Sequence, residues 1–269
     1  MKNCVFPASC LAGLSFLLAG FARETQAAPS SEYPTPRVRE EQKVVVDGVS
    51  ETWRLQWMTN PKPECEPNQD SLYCQCTGFA YGEAGELDLV RLRNGVEIDR
   101  LHLTPLFAGG PFPSESAVIR RWEIDYDKDP KDSQRQDFPL LVSKRPTVQV
   151  MNFGDYDHNG WKNEFYLQSG AVACHTEGFV VGVSKRNPRL HVLGTASSPG
   201  KPLYLSYGEW EALRGASGPV EVVDWMCGSH GAETETTVRL RWTADGITGS
   251  WCHYTCPPDR KLIDEEPIK

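Results

Sequence analysis

Beyond its first thirty residues the chain has no run of 18 apolar residues, the length a helix needs to cross a bilayer. Positive charge is also in short supply. The 28 Lys and Arg are outnumbered by 36 Asp and Glu, giving a formal net charge of −8, so no global field draws the protein to nucleic acid or an anionic membrane surface. No repeat of constant period occurs, which argues against a propeller or solenoid. The familiar catalytic signatures are missing too. There is no G-x-S-x-G elbow and no H-E-x-x-H pair, and Ser229 and His230 are adjacent, so on a strand they face opposite ways. Gly109-Gly110 lacks the helix start that a phosphate cradle needs. With 39% hydrophobic and 24% charged residues the composition is that of a globular protein, not of a disordered, collagenous or coiled-coil chain.

The chain opens with an export signature. Lys2 supplies a short basic region, an apolar run spans residues 10–21, and Thr25-Gln26-Ala27 supplies a small-residue exit, so residues 1–27 read as a signal peptide cut after Ala27. Removing Lys2, Arg23 and Glu24 with it leaves 242 residues carrying 26 basic and 35 acidic groups, a net −9. The expectation is a secreted or periplasmic protein with no membrane anchor after cleavage. Seven of nine cysteines remain: Cys65, Cys74, Cys76, Cys174, Cys227, Cys252 and Cys256. In an oxidising compartment they form at most three intrachain disulfides, and the odd thiol is either buried or joins two chains as a dimer. Cys74-x-Cys76 with Cys252-His253-x-x-Cys256 offers zinc-type ligands, but the spacing is not the usual one.

Residues 28–41 are rich in Pro and Ser and read as an unstructured lead-in, and residues 257–269 as a charged tail. Between them, residues 42–256 contain short runs rich in Val, Leu, Trp and Tyr at 43–46, 52–57, 87–93, 96–103, 117–126, 147–153, 164–168, 179–184, 190–195, 220–225 and 236–242. Their spacing predicts a single all-β domain, a sandwich or irregular barrel. Asn94-Gly95 predicts a tight hairpin of type I′. Ser206-Tyr-Gly-Glu209 predicts a capping box opening one short helix near 207–214.

The motif that carries chemistry lies at residues 147–168, where Asp155-x-Asp157-x-Asn159-Gly160 sets oxygen ligands at alternate positions around a glycine bend. Trp161 would add its backbone carbonyl, and Asn163 or Glu164 would close the shell. Hard oxygen donors in this number suit Ca²⁺. The segment resembles the EF-hand loop and, more closely, the integrin-alpha (FG-GAP) calcium turn, because its flanks read as strands and the twelfth position is Tyr166 rather than an acid. In the integrin-alpha type the closing acid falls at the ninth position, here Asn163, with Glu164 one residue later. That resemblance covers about twenty residues and implies a calcium-bound strand–turn–strand. A second candidate is Glu123, Asp125 and Asp127, which alternation on a strand would align as in a β-jelly-roll polysaccharide hydrolase, resembling the E-I-D-x-x-E signature of family 16 glucanases without its last glutamate. The eight tryptophans fit a β core, and an exposed subset would suit an extracellular glycan or protein partner. The leading expectation is an exported, non-enzymatic binding or adhesion protein stiffened by calcium, with the hydrolase as the alternative.

Overall fold

The computed structural model describes residues 36–64, 81–110, 113–125, 127–172 and 175–269. The first half contains β1 (Arg37–Val46), β2 (Val49–Trp57), β3 (Lys62–Glu64), β4 (Gly82–Gly85), β5 (Leu87–Arg93), β6 (Val96–His102), α1 (Thr104–Ala108) and β7 (Ala117–Arg120). The middle holds α2 (Asp129–Asp132), α3 (Phe138–Ser143), β8 (Glu164–Val172), β9 (His175–Gly182) and β10 (His191–Val192). The last part holds α4 (Tyr207–Gly215), β11 (Val220–Trp225), β12 (Thr234–Thr243), β13 (Gly246–Thr255) and β14 (Leu262–Pro267). The protein is β-rich, as its alternating apolar runs require.

Four antiparallel sheets form, in the orders β1-β2-β5-β6, β10-β9-β8, β11-β12-β13-β14 and β3-β4-β7. Alternation along the β8–β9 pair explains how they stack. Phe165, Leu167, Phe179 and Val181 point into one core with Trp53, Leu55, Trp57, Leu87 and Leu89. Tyr166 and Val180 point the other way, toward Trp210, Leu213, Val238 and Leu240. The central sheet is therefore covered on both faces, by the β1-β2-β5-β6 sheet on one side and by α4 with the C-terminal sheet on the other. Full burial of Trp53, Trp57 and Trp210 stabilises by about 2–3 kcal/mol each relative to exposure.

Local signals hold where they are self-contained. Asn94 and Gly95 take φ of 51° and 79° between Arg93 and Val96, which pair directly. Asp47-Gly48 turns β1 into β2 in the same way, with φ of 50° and 75°. At α4 the Ser206 Oγ accepts from the Glu209 N–H (3.2 Å), and the Ser206 N–H donates to Glu209 Oε2 (2.7 Å).

Several expectations are corrected. Three further helical turns, α1 to α3, accompany α4, and each carries a proline at its first or second position, where the missing N–H costs nothing. The lead-in expected over 28–41 gives way to β1 at Arg37, which pairs with β2 from its first residue. The charged tail is also partly ordered. Its residues form edge strand β14 on β13, with exposed side chains, held by backbone pairing and by the Ser250 hydroxyl donating to Glu265 (2.6 Å), contacts that composition does not reveal. Residues 147–153 are not a ladder strand. Instead the Glu40 carboxylate accepts from the Val150 (2.7 Å) and Met151 (3.2 Å) N–H groups, and Gln42 Nε2 donates to the Met151 carbonyl (2.8 Å). Side chains of β1 thus replace the missing strand partner.

Candidate metal centre

The turn between residues 154 and 164 is closed at its base by a reciprocal backbone pair. Gly154 N–H donates to the Glu164 carbonyl (2.8 Å) and Glu164 N–H to the Gly154 carbonyl (3.2 Å). Glu164 opens β8 opposite Gly182. A Cβ on Gly182 would lie 2.2 Å from the Asn163 carbonyl oxygen, so only glycine permits this approach. Within the turn, the Asp155 Oδ2 accepts from Gly160 N–H (2.9 Å), Asp157 Oδ1 from Asn159 N–H (3.2 Å), and Asn159 Oδ1 from Trp161 N–H (2.8 Å). Gly160 supplies the bend with φ of 87°. His158 also takes positive φ, 56°.

This path brings Asp155, Asp157 and Glu164 together, each offering an oxygen within 4.8 Å of the others. Two ligands of one Ca²⁺ cannot lie farther apart than twice a bond of about 2.3–2.6 Å, and the trio meets that limit. Glu164 is fully buried, whereas the two aspartates are half-buried. Glu164 Oε2 accepts from Tyr156 N–H (3.2 Å), yet Glu164 Oε1 and Asp155 Oδ1 are buried with no hydrogen-bond partner. A buried carboxylate oxygen without a donor costs on the order of several kcal/mol unless a proton or cation offsets it. Burial, followed by the charges of Asp157 and Asp155, pushes the Glu164 carboxyl up to about 9 against the opposing hydrogen bonds of the Tyr156 N–H and the Asn159 side chain. The cluster thus either keeps a proton on Glu164 or accepts a cation.

The other residues of the predicted shell have different surroundings. The Asn159 oxygen is already engaged by Trp161 N–H, and its amide donates to Asp157. Asn163, buried, points its amide nitrogen at the carbonyls of Val45 (3.2 Å) and Lys162 (3.1 Å). Its side chain therefore ties the turn to β1, while Glu164, one residue later, faces the aspartates. Strand parity separates the two: neighbours at the start of β8 point to opposite faces. Trp161 packs against the first core.

Two bracing residues have no signal in the sequence motif. Tyr156 donates from its hydroxyl to Glu211 Oε1 (2.9 Å) and sets its ring edge against Trp210. His158 Nε2 donates to the Leu213 carbonyl (3.0 Å), and its ring meets Trp242. Both partners lie on or behind α4, about 55 residues downstream, beyond the reach of a local pattern.

The carboxylates near Glu123 are not aligned. β7 ends at Arg120, and Asp125 Oδ1 accepts from the Asp127 and Lys128 N–H groups (3.2 Å each), turning the chain toward α2. Asp125 also pairs with Lys128 (3.1 Å). Exposed Glu123 lines a cleft of about 460 Å³ with Tyr166 and Tyr207. Of the zinc-type set, Cys256 is bonded to Cys227 and Cys252 is a buried free thiol. Cys65, Cys74, Cys76 and Cys174 lie outside the described residues. No helix among those residues is long and apolar enough to cross a membrane. No family model, curated protein or solved structure matches the chain.

Proposed function

We propose that the protein is an exported binding or adhesion domain whose acidic turn holds Ca²⁺ through Asp155, Asp157 and Glu164, with the Trp161 carbonyl and water completing the shell. One observation carries this reading: two buried carboxylate oxygens, on Glu164 and Asp155, lack any donor inside a pocket of three carboxylates. A hard divalent cation answers both at once, and an all-oxygen set favours calcium over zinc. The role is structural. The turn is fastened to both cores, and its innermost carboxylate, Glu164, is fully buried. The signal-like N-terminus, the Cys227–Cys256 bond and the resemblance to the integrin-alpha turn support export and an extracellular role. The hydrolase alternative has Glu123 at a cleft, but no second carboxylate lines that cleft among the described residues.

The test is thermal unfolding of residues 28–269 in excess EDTA, in millimolar Ca²⁺ and in millimolar Mg²⁺. A calcium-specific rise of several degrees, lost in Asp155→Ala and Asp157→Ala, is expected. An unchanged melting temperature in calcium, or a rise that survives both substitutions, would sink the assignment.

A further inference from the structure

Trp161 leaves the acidic turn between two clefts, one of about 520 Å³ and one of about 430 Å³, both also bordered by Asp47 at the β1–β2 turn. The larger is lined by Arg91, Arg93, Lys185 and Arg189, the smaller by Lys43 and Lys162. This is an unusual concentration in a chain of net charge −8. Some of these charges are already answered. Buried Glu51 pairs with Arg91 and Arg93 (2.8 Å each), and Asp99 is shared by Arg91 and Arg189 (3.4 Å each). Among the residues lining the two clefts, six cations stand against Asp47, Asp99 and the adjoining Glu51, a local excess of three positive charges beside the acidic turn. Lys185 is exposed and forms no ion pair among the described residues; its ammonium sits 3.4 Å from where a Cβ on Gly160 would be. Arg189 keeps 78% of its side chain exposed despite its contact with Asp99. Val49 and Ile98, each 40% exposed, add an apolar wall.

We infer that these two clefts, divided by Trp161, bind an acidic saccharide, a chain of sugar rings bearing carboxylate or sulfate groups. Each cleft has the volume of an ordinary small-ligand site. An aromatic face packs against the C–H face of a sugar ring, while flanking cations take its anionic groups, with arginines able to do so in a two-pronged manner. A small inorganic anion would leave the indole and the Val49–Ile98 wall without a role. Single-stranded nucleic acid is held by successive bases stacked on several aromatic faces, whereas these clefts share one indole. The inference rests on the binding role proposed above, but not on the ion: Trp161, though carried by the turn, is packed against the first core, and every cation but Lys162 stands on β1, β5 or the segment after β9.

The test is titration calorimetry on residues 28–269 in EDTA and low salt. The probes are an oligogalacturonide hexamer (carboxylate), a heparin-derived hexasaccharide (sulfate), maltohexaose (neutral) and a single-stranded 12-mer DNA. One or both acidic hexasaccharides are expected to bind and maltohexaose not to, and whichever acidic probe binds identifies the anionic group. Affinity should fall about tenfold or more in Trp161→Ala and by a similar factor in Lys185→Glu. Lys185→Glu is the safer variant, because the residue is exposed and its replacement leaves the core intact. No binding of either acidic probe at millimolar concentration would overturn the inference. So would binding that Lys185→Glu leaves unchanged, equal binding of maltohexaose, or DNA binding as tight as the saccharide that survives Trp161→Ala. Because EDTA removes calcium from this assay, its failure leaves the cation reading standing, and a flat calcium melting curve leaves this inference standing.

Discussion

Replacing Glu164 by Gln keeps the shape of a fully buried side chain and removes its ability to ionise. In EDTA the native Glu164 carboxyl, raised to about 9 chiefly by burial and then by Asp157 and Asp155, holds its proton through neutral pH, whereas in the unfolded chain it ionises near its ordinary value of about 4.3. The native state therefore binds more protons than the unfolded state across this window, so stability falls as pH rises. At 1.36 kcal/mol per unit, the wild type should lose about 4 kcal/mol between pH 5 and pH 8 through this group alone. The Glu164→Gln variant would lose none of it. For a domain of this size about 4 kcal/mol corresponds to roughly 10 °C, so in EDTA at pH 8 Glu164→Gln should melt about 10 °C above wild type, with the gap closing toward pH 5. Calcium should invert the order. The ion requires the carboxylate, so wild type gains stability with rising pH and the variant gains little. The assay is a set of melts at pH 5, 6.5 and 8, in EDTA and in Ca²⁺, for both proteins. Parallel pH slopes in EDTA would refute the claim that Glu164 is charged at a cost in the native fold, and an equal calcium response in Glu164→Gln would remove it from the ion's shell.

Two further perturbations test the scaffold around the site. The Cys227–Cys256 bond spans 29 residues, and chain-entropy reasoning gives it about 3–4 kcal/mol; Cys227→Ser with Cys256→Ser should lower the denaturant midpoint accordingly, and a midpoint unmoved in the double variant would show that the bond constrains little. Asp129 is buried with Arg145 across it, Nη1 lying 2.6 Å from Oδ2. Burial opposes its ionisation, but the Arg145 guanidinium and the Asp125 N–H outweigh it and hold the carboxyl below its ordinary value. Its contribution is therefore full above about pH 4 and lost as pH falls below that. Arg145→Met should cost about 3–5 kcal/mol at pH 7 by leaving that carboxylate unpaired, measured by urea unfolding; a loss under about 1 kcal/mol would count against it.

What is legible in the sequence is what is written within a few residues. The Asn94-Gly95 turn and the Ser206–Glu209 box each depend on four neighbours and on backbone angles those residues favour, and both form as their chemistry requires. Alternating apolar residues are enough to show that the fold is β-rich. Long-range substitution is not legible: nothing near residue 150 announces that Glu40 and Gln42 will take the place of a neighbouring strand. β13 is hidden because Gly246 and Gly249 dilute its apolar pattern, and β14 because an exposed edge strand needs no apolar pattern at all. The prolines at the starts of α1 and α3 are visible, but a proline reads equally well as a turn when the helix after it is so short. At the acidic turn, Asp155 and Asp157 follow from the motif, but the choice between Asn163 and Glu164 depends on the parity of β8, which only the ladder with β9 sets.

The β8–β9 pair is a wall common to both large cores, since alternate residues of the same strands serve each. Neither core can loosen without exposing the back of the other, so the molecule has few half-open forms to visit on the way to unfolding. The acidic turn sits at the head of that wall, with Tyr156 reaching one side and Trp161 the other, and acts on it as a rivet does on two plates. Proteases cut folded chains mainly when they open locally. Joining the two halves at this point withholds such openings, so that the lifetime of the whole fold is governed by one concerted event rather than by its weakest strand.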